Sequence, residues 1–80
     1  MNIEIVAFGI AKDILKNKSV KLEVGQDATV EVVRKKLESE YPAFESLASL
    51  QLAVNAEYVN DDYILNENDE VVLIPPVSGG

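Results

Sequence analysis

Chemistry in this chain concentrates in its last six residues, Pro75-Pro76-Val77-Ser78-Gly79-Gly80. Pro75 and Pro76 lack a backbone N–H and hold φ fixed, so a strand cannot run on through them as a ladder. They favour an extended, polyproline-like exit. Fully extended, six residues reach about 20 Å, at roughly 3.3–3.6 Å each. The segment is a narrow rod ending in the carboxylate of Gly80. Without Cβ atoms, Gly79 and Gly80 let a second protein or a nucleotide approach their backbone closely. The terminal carboxylate is inert as it stands. Converted to an acyl-adenylate it becomes an electrophile, and attack by sulfide would leave a thiocarboxylate, whose sulfur is a soft nucleophile. A bare Gly-Gly end could equally be a frayed terminus. The Pro-Pro-Val-Ser run before it, following an apolar strand, gives the arm a reach and a direction.

The rest of the composition narrows the alternatives. The chain has no Cys and no His. Disulfides, thiol nucleophiles, nearly all soft-metal sites and Ser-His-Asp or Cys-His systems are therefore excluded within it. The carboxyl terminus is left as the place where sulfur could be carried. Eighty residues bury only roughly 60–65% of their unfolded surface. That supports one thin core in a single domain, residues 1–80, but not a deep active site as well. A net charge of −7 repels phosphate backbones and anionic lipid, which argues against nucleic acid and membrane partners. It is read either as complementing a basic partner surface or as serving solubility. The lack of Cys fits a cytoplasmic location. No signal peptide is expected, because Glu4 interrupts the first apolar stretch and no basic region precedes it.

The elements that must position the tail follow from periodicity. Ile3-Glu4-Ile5-Val6-Ala7-Phe8 and Glu70-Val71-Val72-Leu73-Ile74 are apolar at nearly every position. Both are expected as central strands covered on more than one side. Ile10–Leu15 is expected to form a short helical turn. Val20-Lys21-Leu22-Glu23-Val24 alternates with a period of two, core side then solvent side, and should pair with the first strand as an antiparallel hairpin. Thr29 sits where an N-cap belongs, with Glu31 in the first turn of a helix running to Tyr41, before Pro42. Val30, Val33, Leu37 and Tyr41 form its apolar stripe. Ala43–Ser49 reads as irregular. Leu50–Val54 and Glu57–Val59 read as strands about an Asn55-Ala56 turn, and Asn66–Asp69 as a turn that caps its own backbone. The pattern is an α+β fold, with a mixed sheet of four to five strands on one main helix. The two most apolar strands are placed as central neighbours, so the tail (residues 75–80) should leave from mid-sheet.

The run Asp69-Glu70-Val71-Val72-Leu73-Ile74-Pro75-Pro76-Val77-Ser78-Gly79-Gly80 resembles the carboxyl-terminal signature of molybdopterin synthase small subunits, a family of ubiquitin-like sulfur carriers. Ala53-Val54-Asn55, Thr29-Val30, Tyr41-Pro42 and Phe8-Gly9-Ile10-Ala11-Lys12-Asp13 resemble further segments of that family. Lys12 stands where Arg is usual, a point charge in place of a bidentate fork. Asn68 replaces Gly before Asp69, and Asn tolerates the left-handed conformation that the turn requires. Gly9 replaces Ala.

The resemblance implies a β-grasp, ubiquitin-like fold. It also implies a chain that is no enzyme on its own but the sulfur-donating subunit of a synthase. Gly80 would be adenylated by a partner related to ubiquitin activators, an adenylyltransferase using ATP and magnesium, and then converted to a thiocarboxylate. The tail would enter the large synthase subunit, in a heterotetramer of two small and two large subunits. There it would deliver sulfur to cyclic pyranopterin monophosphate during molybdenum cofactor biosynthesis. Gly79, Ser78, Val77, Pro76, Pro75, Ile74 and Phe8 are the expected partner-binding residues, and no permanent cofactor or metal is expected. The large subunit would supply the Lys and Arg groups that bind the phosphate ester.

Phe8 is read either as core or, with Ile74, as part of a docking patch. Tyr41, Tyr58 and Tyr63 are read as packing or surface residues. The acids Asp61, Asp62, Glu67, Asp69 and Glu70 match no calcium-loop spacing and are read as solvated turn acids. Two active rivals share the reactive tail: a thiamine-pathway sulfur carrier, against which Pro75-Pro76 argues, and a ubiquitin-like modifier of protein lysines. A third rival is an inert interaction domain.

Overall fold

The computed structural model describes residues 1–46 and 50–74; Pro75–Gly80, the tail expected to be reactive, lie outside the described residues. The element order is β1 (Asn2–Ala7), α1 (Gly9–Leu15), β2 (Ser19–Glu23), α2 (Val30–Glu40), a 3₁₀ turn (Pro42–Ser46), β3 (Gln51–Val54), β4 (Glu57–Tyr58) and β5 (Glu70–Ile74). The five strands form one mixed sheet in the order β2-β1-β5-β3-β4. β5 is therefore the middle strand, paired parallel to β1 and antiparallel to β3. This is the expected β-grasp arrangement, with the tail-bearing strand at the centre.

One face of the sheet carries the core. Ile3, Ile5 and Ala7 of β1, Val71 and Leu73 of β5, and Leu52 and Val54 of β3 alternate onto it and are buried. α2 lies over them through Val30, Val33 and Leu37, with Tyr41 half-buried at its end. Val32 falls off the stripe and is exposed. The helix starts where the N-cap signal places it: Thr29 Oγ1 accepts from the Val32 N–H at 3.4 Å.

Two expectations are corrected. Among the described residues, β1 and β5 are covered by a helix on one face only. Val6 and Val72 lie on the other face and are half-buried, because they stand opposite each other and shelter one another laterally. β1 and β2 pair antiparallel as expected, joined by α1 where a short helical turn was expected. Gly9, with φ 55°, turns the chain out of β1 in a conformation that favours glycine. Pro42–Ser46, which overlaps the start of the Ala43–Ser49 segment expected to be irregular, forms a 3₁₀ turn that delivers Phe44 into the core, edge-on to Tyr41 with ring centroids 6.0 Å apart.

Candidate docking face and tail exit

The position from which the tail leaves is set at the opposite end of β5. Asp69, only 7% exposed, sits just before that strand. Its Oδ1 accepts from Asn55 Nδ2 at 2.9 Å, and its Oδ2 accepts from the Asn66 N–H at 2.8 Å. Asn55 Oδ1 in turn accepts from the Glu70 N–H at 3.1 Å, and the Glu70 carbonyl accepts from the Asn55 N–H at 2.9 Å. Asn68, at φ 67°, takes the left-handed conformation expected of it and donates its N–H to the Asn2 carbonyl. The Asp69 carbonyl accepts from the Glu4 N–H at 2.9 Å. β5 is thus pinned to β1 and β3 before its first residue. A slip of one residue would turn the side chains of β5 over, so pinning the register also determines which face the exit presents.

From that origin the pairing continues to Ala7↔Leu73 on one side and Gln51↔Ile74 on the other. Pro75 follows directly. β1 and β5 are parallel, so their ends share one end of the sheet. Phe8 comes one residue past the last β1–β5 pair. Its backbone is still extended (φ −130°, ψ 161°), so alternation carries its ring to the open face, where it is 60% exposed. Its reading as a core residue is overturned; its reading as part of a surface patch fits.

The open face carries a lateral row Val6–Val72–Ala53–Tyr58 across β1, β5, β3 and β4. At roughly 4.7–4.9 Å between strands, the row is about 14 Å long. Tyr58 is 69% exposed. With Phe8 and half-buried Ile74 beside it, this is an apolar surface next to the tail exit. Period-two alternation could have located the row; the topology was needed to show that no helix or strand among the described residues lies over it.

Two of the carboxylates read as solvated have structural partners besides Asp69. Asp61 pairs with Arg34 at 3.1 Å, and Glu67 accepts from the Asn2 N–H at 2.7 Å. Arg34 also donates to the Leu50 carbonyl at 2.6 Å, fixing the entry to β3. The recess of about 610 Å³ that Arg34 and Asp61 line with Tyr58 and Leu52 is therefore built from charges already paired to each other. Among the described residues no group of three acids converges as a metal site would require, and no helix is long and apolar enough to cross a membrane. Lys12 is exposed on α1.

Comparison with known proteins agrees with this geometry. The family model described as the ThiS family matches residues 5–80. The molybdopterin synthase sulfur carrier subunit of Dictyostelium discoideum is 35% identical over 81 residues, covering 96% of this chain and 94% of that protein. Among solved structures, small archaeal modifier protein 1 of Haloferax volcanii superposes with a TM-score of 0.83 at 25% identity, covering 95% of this chain and 98% of the other. A chain from the complex of subunits 1 and 2 of molybdopterin-converting factor from Helicobacter pylori superposes with a TM-score of 0.71 at 26% identity, with each chain fully covered. A match that runs from β1 through the terminal glycines, on a β-grasp sheet whose middle strand leads into them, makes this chain a member of the ThiS family.

Proposed function

We propose that this chain is the sulfur carrier subunit of a molybdopterin synthase, and that Gly80 is the group that carries the sulfur. The observation supporting it most directly is the placement of the Pro75–Gly80 segment immediately after the central strand, beside an uncovered apolar face. In the cycle, a Gly80 carboxylate oxygen attacks the α-phosphorus of magnesium-bound ATP on an activating adenylyltransferase, and pyrophosphate leaves. Sulfide then attacks the acyl carbon and AMP departs with the oxygen, leaving a thiocarboxylate. The face bearing Phe8, Tyr58 and Ile74 docks on the large subunit while the tail reaches inward about 20 Å. There the sulfur is delivered to cyclic pyranopterin monophosphate. The chain contributes reach and a nucleophile; catalytic groups and phosphate binding belong to the large subunit, in a cytoplasmic heterotetramer.

The deciding measurement is intact mass after incubation with the activating enzyme, ATP and a sulfur source. Exchange of one oxygen for one sulfur, located on Gly80, supports the proposal. An unmodified terminus with a competent activator counts against it.

A second reading, protein modification, is favoured by the similarity to small archaeal modifier protein 1. It shares the adenylate but ends in an isopeptide bond to a lysine. A search for lysine conjugates in lysate separates the two.

A further inference from the structure

The sheet has two edges of different length. β4 closes one side with two residues, a short edge of the kind that resists pairing with another chain. β2 closes the other side with five, Ser19–Glu23. The backbone groups of β2 divide by alternation. The Lys18 carbonyl accepts from the Ala7 N–H at 2.8 Å, and the Val24 N–H donates to the Met1 carbonyl at 2.8 Å. Lys18, Val20, Leu22 and Val24 therefore turn their backbone groups towards β1, while Ser19, Lys21 and Glu23 turn theirs outward. The Glu23 carbonyl shows this directly: it accepts from Lys36 Nζ on α2 at 2.9 Å. Among the described residues no strand pairs with this outer edge. Leu22 is buried on the core side, so Lys21 and Glu23 stand together on the open face, exposed and opposite in charge.

We propose that β2 is a self-recognition edge, to which a second copy of this chain adds its own β2 antiparallel about a two-fold axis at Leu22. The residues themselves select this register. Only Ser19, Lys21 and Glu23 face outward, so the new hydrogen-bonded pairs must join members of that set. Centred on Leu22, the pairing sets Lys21 against Glu23 of the second copy, and Glu23 against Lys21 of the second copy. Opposite charges directly across a sheet stabilise it, and like charges oppose it. Moving the centre by one residue sets Lys21 against Lys21, or Glu23 against Glu23. Centring on Val20 sets Lys21 against Ser19 and forms no ion pair. The two-fold axis keeps the faces in common, so half-buried Val20 meets Val24 of the second copy on the core side. Lys36 is no bar, because a carbonyl oxygen has a second lone pair for the ladder. Ser19 lies at the tail end of the sheet, beside Val6, so antiparallel pairing sends the two tails out at opposite ends and leaves both clear. One strand edge buries far less than the roughly 1,200–2,000 Å² of a stable complex, so the dimer is weak and reversible. Copies of charge −7 also repel at long range. Screening over ~8 Å at physiological salt removes most of that repulsion and leaves the contact pairs. The proposal is independent of the carrier reading.

The test records amide NMR spectra of the whole chain from micromolar to millimolar concentration at physiological salt, with sedimentation equilibrium on the same samples. A dimer should form, and the amides of Lys21 and Glu23 should shift most, while those of Val20 and Leu22, already bonded to β1, shift less. Lys21→Glu and Glu23→Lys each turn two attractive pairs into two repulsive ones, and each should weaken self-association roughly tenfold or more. Glu23→Lys also makes the chain less negative, so an effect of net charge alone would strengthen association instead. Mixing the two variants brings opposite signs together at both positions and should restore pairing. Thermal melts check folding. Lys21→Glu stands opposite Glu4, whereas Glu23→Lys stands opposite neutral Asn2; should the first unfold, the second and the amide shifts carry the test. A chain that stays monomeric at millimolar concentration would leave the edge to a strand of another protein and overturn the proposal. Shifts centred on Glu57 and Tyr58 of β4, or a Glu23→Lys chain that associates as well as wild type, would overturn it too.

Discussion

Asn55 and Asp69 are bonded side chain to side chain at 2.9 Å across 14 residues of sequence; Asn55 also accepts from the Glu70 N–H beside its partner, and Asp69 from the Asn66 N–H of its own turn. The pair ties the β3–β4 turn to the start of the central strand. Asp69→Ala removes a buried acceptor and leaves the Asn66 N–H and the Asn55 amide unpaired. An unsatisfied buried group costs about 1–3 kcal/mol, and a loss of about 2 kcal/mol is expected in urea denaturation. Asp69→Asn should also destabilise. An amide cannot accept at both positions, and flipping Asn55 to suit it would set an NH₂ against the Glu70 N–H. Stability of Asp69→Asn equal to wild type would show that the carboxylate does not hold both bonds.

The same turn contains a strained residue. Asn55 and Ala56 both have positive φ, 50° and 72°, between the paired residues Val54 and Glu57. That is the backbone of a two-residue type I′ hairpin, in which glycine is preferred at the second position. Alanine there carries a left-handed penalty of about 1–2 kcal/mol, partly offset because glycine costs more backbone entropy on folding. Ala56→Gly is expected to raise stability by about 0.5–1 kcal/mol. A lower melting temperature in this variant would mean that the turn does not hold this conformation.

Legibility differed by kind of feature. Strand and helix positions were readable because alternation and the Thr29 and Pro42 signals are local. The central placement of β5 was readable because Val71, Val72, Leu73 and Ile74 leave no polar face. The openness of the second face was not: the apolarity of Val6 and Val72 looks the same whether a helix or only a neighbouring strand covers them. Asp69 was misread because burial of a turn carboxylate depends on Asn55, which lies 14 residues away. The terminal Gly79-Gly80, which lies outside the described residues, was read from residue type and order alone, and the chemistry proposed for it rests on that reading rather than on packing.

Thr29 caps α2 with a bond of 3.4 Å, at the long end of the hydrogen-bond range. Thr29→Ala is therefore expected to cost about 1 kcal/mol or slightly less. At temperatures where the variant stays folded, its rate of thiocarboxylate formation should match wild type, because the cap lies on α2 and not on the docking face. A sulfur-transfer defect without a stability defect would place Thr29 in a partner contact instead.

Phe8 and Gly80 should separate folding from function in complementary ways. Phe8 is 60% exposed, so Phe8→Ala removes little buried surface and should shift stability by less than about 0.5 kcal/mol. If the ring docks as an anchor, the same change weakens binding to the large subunit by about 1–2 kcal/mol, or roughly five- to thirtyfold in Kd. Deleting Gly80 should leave both the melting temperature and docking nearly unchanged while abolishing adenylation and sulfur delivery. The two lesions then fail at different steps: one carries sulfur but docks weakly, and the other docks but carries none. A Gly80 deletion that still supports dithiolene formation in a reconstituted assay would remove the terminal acyl group from the mechanism. A Phe8→Ala chain that binds as tightly as wild type would move the docking face elsewhere.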